Sequence, residues 1–159
     1  MAKKAELGRV VPNFELPAYG GGAGDTFNLK DYRGRKVLLF FYPQDLTPTC
    51  TQQSCDFRDA HERFVDADTV VVGISPDPVK SHEKFAAKHG LPFILLADEK
   101  LKACALFDVW KEKQLYGRKY MGVVRSTFLI DRKGKLVREW RNVRLKGHID
   151  AVLEAAAKL

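Results

Sequence analysis

Cysteine is scarce in this chain of 159 residues, with only Cys50, Cys55 and Cys104. Three are too few to staple a small secreted module, and the odd count points to reduced thiols in a cytoplasmic setting. No CxxC pair occurs, which removes the dithiol spacing of disulfide oxidoreductases and the zinc-ribbon pattern. His61, His82, His89 and His148 are scattered. None forms an HxxxH or HExxH pair, so neither a metal site nor a cofactor is expected. The longest strongly apolar run, Val37 to Tyr42, is far short of the roughly 20 residues of a membrane helix. The basic residues at Lys3 and Lys4 have no apolar stretch behind them, so no secretory signal is expected. Internal repeats are absent, and low complexity is confined to Gly20-Gly21-Gly22-Ala23-Gly24.

What is present suits a soluble α/β protein. Hydrophobic residues make up 45% and charged residues 30%, enough for a core and an ordinary surface. The length fits one domain spanning residues 1–159. The 27 Lys and Arg outnumber the 20 Asp and Glu, for a net charge of +7. Much of that excess is local: residues 111–146 hold twelve basic side chains against Glu112, Asp131 and Glu139. Such a run can meet nucleic acid, an anionic membrane or an acidic protein. Without aromatic interleaving or a groove-reading motif, a solvated face is the better reading.

The periodicity alternates strand and helix. Phe14–Leu16 and Thr26–Leu29 flank the glycine cluster as an N-terminal hairpin. Lys36–Tyr42, Thr69–Ile74, Phe93–Ala97 and Ser126–Ile130 read as buried strands, and Asp131-Arg132-Lys133-Gly134 turns the last into Leu136–Trp140. Helices are expected over 48–65, 79–89, 100–107 and 148–158. Strand, helix, strand in this order implies right-handed crossovers, a largely parallel centre and a mixed sheet in a layered α/β domain.

The informative stretch runs from Phe41 to Cys55 and joins the first buried strand to the first long helix. It lies at the carboxyl end of the strand, where α/β sheets place ligand sites. Thr47 suits the N-cap and Pro48 the first helical position. Cys50 then falls in the first turn, where unpaired backbone N–H groups and the helix dipole favour a thiolate, a nucleophile for an electrophilic substrate. Taken alone, Cys50 reads better as a small buried hydrophobe, sharing a face with Phe57, Ala60 and Phe64. The capped start and the second cysteine favour chemistry. Cys55 points toward the side carrying Asp59 and Glu62. Five helical residues rise about 7.5 Å, and Cα atoms more than about 7 Å apart cannot be bridged without backbone movement. A Cys50–Cys55 disulfide therefore demands that the helix start unwind. Arg125, at the entry to a buried strand, either reaches water or holds a thiolate or a polar substrate oxygen. Cys104 is spaced as a helix core position, and Trp110 and Trp140 read as core or cover residues.

The segment Pro43-x-x-x-Thr47-x-x-Cys50 resembles the active-site signature of the peroxiredoxins. The second cysteine five residues on is similar to the Q-type subgroup, the bacterioferritin-comigratory proteins. The likeness covers nearly the whole chain, including Val11-Pro12-Asn13-Phe14-Glu15-Leu16-Pro17, Gly73-Ile74-Ser75-Pro76-Asp77 and the string from Tyr116 to Asp131. The resemblance implies a thioredoxin-like three-layer sandwich and a thiol peroxidase reducing hydrogen peroxide and organic hydroperoxides in antioxidant defence. It implies Cys50 as the peroxidatic nucleophile, Thr47 and Arg125 as the groups holding the thiolate and polarising the peroxide, and Pro43 as the shield of the pocket. Cys55 matches the resolving cysteine, giving an intramolecular disulfide that thioredoxin reduces; some relatives use a thiol further along, for which Cys104 is the candidate. Thr49 departs from the glycine usual before the peroxidatic cysteine and fills the pocket mouth. Relatives of this kind are often monomeric, and a monomer is expected.

Two other functions compete. A disulfide oxidoreductase on the same fold lacks its CxxC. A redox-regulated chaperone or nucleic-acid-binding protein would use the basic 111–146 segment. The set Cys50, Thr47 and Arg125 favours the peroxidase.

Overall fold

A computed structural model describes residues 4–159; the basic start, Met1 to Lys3, lies outside the described residues. The central element is β3 (Lys36–Phe41), in which all six side chains are buried. Alternate residues serve opposite faces: Leu38 and Phe40 join one apolar cluster, Val37, Leu39 and Phe41 the other. β3 runs parallel to β4 (Thr69–Ser75), which runs parallel to β5 (Ile94–Ala97). On its other side β3 pairs antiparallel with β8 (Ser126–Ile130), which pairs with β9 (Leu136–Arg141). The N-terminal hairpin, β1 (Glu15–Tyr19) and β2 (Thr26–Asn28), docks antiparallel on β5. The seven-stranded sheet has the order β2-β1-β5-β4-β3-β8-β9.

Helices cover both faces. α1 (Pro48–Asp59), α2 (His61–Asp66), α3 (Val79–His89) and α5 (His148–Ala157) bring Phe57, Phe64, Phe85 and Val152 to the cluster that holds Cys50. α4 (Lys102–Leu106) places Ala103 and Cys104 in the cluster beyond the sheet. Gly73 of β4 makes the Cys50 side possible: a Cβ there would stand 2.8 Å from the Phe40 ring. Phe40 in turn stacks on Phe57 of α1, with centroids 4.4 Å apart. Among the described residues, no helix is long and apolar enough to cross a membrane.

The helix expected over 48–65 is in fact two. Ala60, at φ −96° and ψ 1°, breaks the ladder and redirects the axis so that α2 meets β4 and α5. The expected 100–107 helix narrows to α4, because Asp98 caps the Ala103 and Cys104 N–H groups. Phe14 precedes β1, and Leu29 opens a 3-10 turn. Unforeseen is a two-stranded ribbon outside the main sheet, β6 (Trp110–Leu115) with β7 (Arg118–Val123), turned at Tyr116 and Gly117, both in the left-handed region.

His148 starts α5 beneath the site, its Nε2 2.8 Å from the Thr127 hydroxyl and its ring edge-on to Phe57 and Trp140. Burial lowers its pKa to about 4. The folded protein thus keeps it neutral, while the unfolded chain takes up a proton below about pH 6.5. Stability from this group is present above that value and is lost as pH falls through the window down to about 4. The loss should amount to about 3 kcal/mol. Urea unfolding at a series of pH values should show this slope, and His148→Gln should flatten it.

Candidate active site

The β3–α1 connection is built by strand register and one left-handed residue. Tyr42 continues β3 by donating its N–H to the Ile74 carbonyl at 3.0 Å. Leu46, at φ 63°, turns the chain. Thr47 then takes the extended N-cap conformation, and Pro48 is the first helical residue, where its missing N–H costs nothing. The expected cap bond does not form. The Thr47 hydroxyl instead donates to the Gln44 carbonyl at 3.0 Å, which leaves its lone pairs free to accept a proton donor from solvent or substrate. Pro43 is half-buried at the strand end, and Thr49 is exposed in the first turn.

Cys50 is only 1% exposed. Its Sγ accepts a hydrogen bond from an Arg125 terminal nitrogen at 3.2 Å. The pairing of β3 with β8 explains why a residue 75 positions away arrives there. Phe41 lies opposite Ser126, so Arg125 comes abreast of the chain just past the end of β3. Its carbonyl accepts the Val143 N–H at 2.9 Å, which fixes the backbone. Half-buried Arg125 thus reaches the Cys50 sulfur, the contact that one of its two readings requires.

Two further side chains complete the site, neither found by sequence reasoning. Gln53, one turn along α1 from Cys50 and 1% exposed, accepts the other Arg125 nitrogen through Oε1. The Arg125 fork thus bridges the sulfur and the amide. Gln53 Nε2 has no partner. Lys113, on β6, donates to the Val123 carbonyl at 2.8 Å. Burial, with the Arg125 charge beside it, lowers its pKa, and the Cys50 charge works the other way. The i, i+3 spacing of Gln53 from Cys50 was the available signal for the first. Lys113 carried none, because the ribbon itself was invisible.

The remaining thiols stand apart. All three cysteines are free. Cys55 is half-buried on the intact α1 helix, more than a turn from Cys50. Cys104 is fully buried in the cluster on the opposite face of the sheet. Burial first, and then the Asp98 carboxylate, raise its thiol far above the ordinary range. The histidine and acidic side chains do not converge on Cys50. What the site offers is a sheltered sulfur with a guanidinium at 3.2 Å and, three residues earlier, the Thr47 hydroxyl turned to the Gln44 carbonyl rather than to the sulfur.

Residues 7–139 match the AhpC/TSA family. The chain belongs to that family. Peroxiredoxin Bcp of Bacillus subtilis is 49% identical over 149 residues, covering 94% of this chain and 93% of that protein. Peroxiredoxin Bcp of Escherichia coli is 40% identical over 148 residues, 93% of each chain. The solved structure of Xanthomonas campestris Peroxiredoxin Q superposes with a TM-score of 0.84 at 39% identity, covering 91% of this chain and 90% of that one. The fold is accordingly the thioredoxin-like one expected, and this peroxiredoxin is a thiol peroxidase. Within its frame, the contact of Cys50 with Arg125 is the feature on which peroxide chemistry can be built.

Proposed function

We propose that Cys50 is the peroxidatic nucleophile, acting on hydrogen peroxide and organic hydroperoxides, and that Cys55 resolves it. The Cys50 thiolate attacks one peroxide oxygen, the O–O bond breaks, and the other oxygen leaves as water or alcohol after taking a proton. The sulfur, now a sulfenic acid, is two electrons more oxidised. The Cys55 thiol then attacks that sulfur, the S–O bond breaks, water leaves, and a disulfide remains. A thioredoxin-type dithiol returns both thiols by exchange. The observation that carries this reading is the 3.2 Å contact between buried Cys50 and Arg125. The guanidinium balances the thiolate and meets the charge that develops on oxygen as the bond breaks; the Thr47 hydroxyl, its proton given to Gln44, offers its lone pairs to the peroxide O–H, and Pro43 shields the pocket.

Position argues for Cys55 over Cys104 as the resolving thiol. A sulfenic acid on Cys50 would have to cross a fully buried β3 to reach Cys104, and that thiol is held protonated. Cys55 needs only that the first turns of α1 unwind. The test is one equivalent of hydrogen peroxide added to reduced protein, followed by blocking of free thiols and peptide mapping without reduction. A Cys50–Cys55 link is expected, with amide exchange rising across residues 48–58. A Cys50–Cys104 link would overturn the assignment. Sulfinic Cys50 beside free Cys55 would mean a one-cysteine cycle served by an external thiol.

A further inference from the structure

Behind the pocket loop lies a buried polar cluster that the chemistry above does not use. Asp45, 5% exposed, accepts the Tyr42 hydroxyl at 2.6 Å on Oδ1. Its Oδ2 accepts the Ser81 hydroxyl at 2.8 Å and faces His82 Nδ1 at 2.7 Å. Its backbone N–H donates to Asp77 at 2.7 Å, and Asp77 also accepts the Ser75 hydroxyl. His82 is wholly buried, with Nε2 2.8 Å from the Leu96 carbonyl.

The partners count the protons. A carbonyl only accepts, so Nε2 carries a hydrogen. Nδ1 faces a carboxylate oxygen at bonding distance, so a second proton lies between Nδ1 and Oδ2, since two bare lone pairs would repel there. The groups facing the pair are the Tyr42 phenol from the end of β3, Asp77 from the β4–α3 link, Ser81 from α3 and the Leu96 carbonyl from β5. No lysine or arginine among the described residues bonds to Asp45 or Asp77, so the shared proton is the positive charge that balances them. Burial and the Asp45 charge hold the Tyr42 phenol well above its ordinary value, keeping it a donor.

We propose that the proton-sharing Asp45–His82 pair is a positioning device for the peroxide pocket and marks the point at which unwinding of α1 stops. The tethering changes abruptly at this residue. Asp45 makes four bonds to three neighbouring elements. Beyond it, Leu46, Pro48 and Thr49 are exposed, and Thr47 is held only by its hydroxyl on the Gln44 carbonyl and by the first helical bond of α1, from the Thr51 N–H to its own carbonyl. The far end is pinned as well, by Arg58 donating to the His89 carbonyl at 2.8 Å. Ser81 and His82 open α3 and His89 closes it, so one helix frames both ends of the segment 46–57. Pro43 and Thr47 flank Asp45 by two residues on either side, and the pair therefore sets the wall of the pocket without touching substrate. The role in unwinding rests on the two-cysteine reading; the role in pocket geometry concerns only the first step.

His82→Gln and Asp45→Asn test this. Stopped-flow tryptophan fluorescence with hydrogen peroxide separates oxidation of Cys50 from disulfide formation, and amide exchange maps the loop in both redox states. In the wild type, exchange should rise on oxidation from Leu46 onward while residues 42–45 stay protected. Either substitution should spread that rise into 42–45, slow the oxidation step about tenfold through a misplaced pocket wall, and speed the disulfide step. Opposite changes in the two rates are not what lowered stability alone produces, so a reduced melting temperature with both rates unchanged would make the pair merely structural. Should a variant fail to fold, wild-type exchange still decides the boundary: deprotection of 42–45 equal to that of 48–58 would overturn it. Absence of a Cys50–Cys55 link would sink the two-cysteine reading alone, and the oxidation rate would still judge the pair.

Discussion

Replacing Cys50 with serine should lower peroxide reduction by roughly four orders of magnitude or more, the scale on which enzymes lose their nucleophile. A serine hydroxyl is not ionised at neutral pH, and one guanidinium does not change that; the thiolate supplies the electrons that break the O–O bond. The substitution is nearly the same shape. Cys50 is 1% exposed among Tyr42, Phe57 and Leu129, and the hydroxyl can still accept from Arg125, so stability should move by no more than about 1 kcal/mol. The informative partner is Cys55→Ser. It should consume its first equivalent of peroxide at the wild-type rate, then stall as a sulfenic acid and gain one further oxygen, to the sulfinic acid, under excess peroxide. Cys104→Ala should turn over normally, at some cost in stability for a cavity in the far cluster. Intact mass after each equivalent of peroxide added without reductant, beside peroxide consumption with thioredoxin as reductant, distinguishes the three. Turnover by Cys50→Ser would remove Cys50 from the reaction altogether.

The site was legible where chemistry is written in neighbouring residues, and illegible where the fold assembles it. Thr47, Pro48 and Cys50 could be placed at a helix start because capping and proline preference act within a few residues. The contact of Arg125 with Cys50 could not, because it depends on the antiparallel register that puts Phe41 opposite Ser126. Gln53 looked like any polar helical residue; only burial shows that it answers the second arm of Arg125. Asp45 and His82 lie 37 residues apart and meet through the parallel β3–β4–β5 order. The break at Ala60 has no proline or glycine to announce it, and the apolar spacing of Phe57 and Phe64 survives the change of axis. The β6–β7 ribbon was missed because Lys111, Glu112, Lys113, Gln114, Arg118 and Lys119 mask any alternation, and only Val123 is fully buried at its base. The same ribbon takes up part of the basic 111–146 segment, and one of its lysines, Lys113, spends its ammonium on the Val123 carbonyl two residues before Arg125.

Arg125→Met should reduce the second-order rate of Cys50 oxidation by about 10²- to 10³-fold, the usual loss when one preorganised donor to developing negative charge is removed. Two effects combine. The thiolate loses its hydrogen-bonded counter-charge at 3.2 Å, and the peroxide oxygens lose the donor that strengthens as the O–O bond breaks. Arg125→Lys separates charge from geometry. A lysine ammonium keeps the charge but lacks the planar fork that joins Cys50 to Gln53, so a loss of about tenfold is expected if position matters as much as charge. Stability should fall in Arg125→Met as well, by about 1–3 kcal/mol, because the buried Gln53 amide would then have no partner at either end. Gln53→Glu provides the control. A carboxylate at that position would neutralise Arg125 and draw it from the sulfur, slowing oxidation while leaving the guanidinium paired and the fold intact. Stopped-flow oxidation rates beside urea midpoints for the three variants measure both quantities. Rates that track stability across the set would reduce Arg125 to a packing role. A rate loss in Gln53→Glu without a stability loss would show that catalysis depends on where the guanidinium charge is directed.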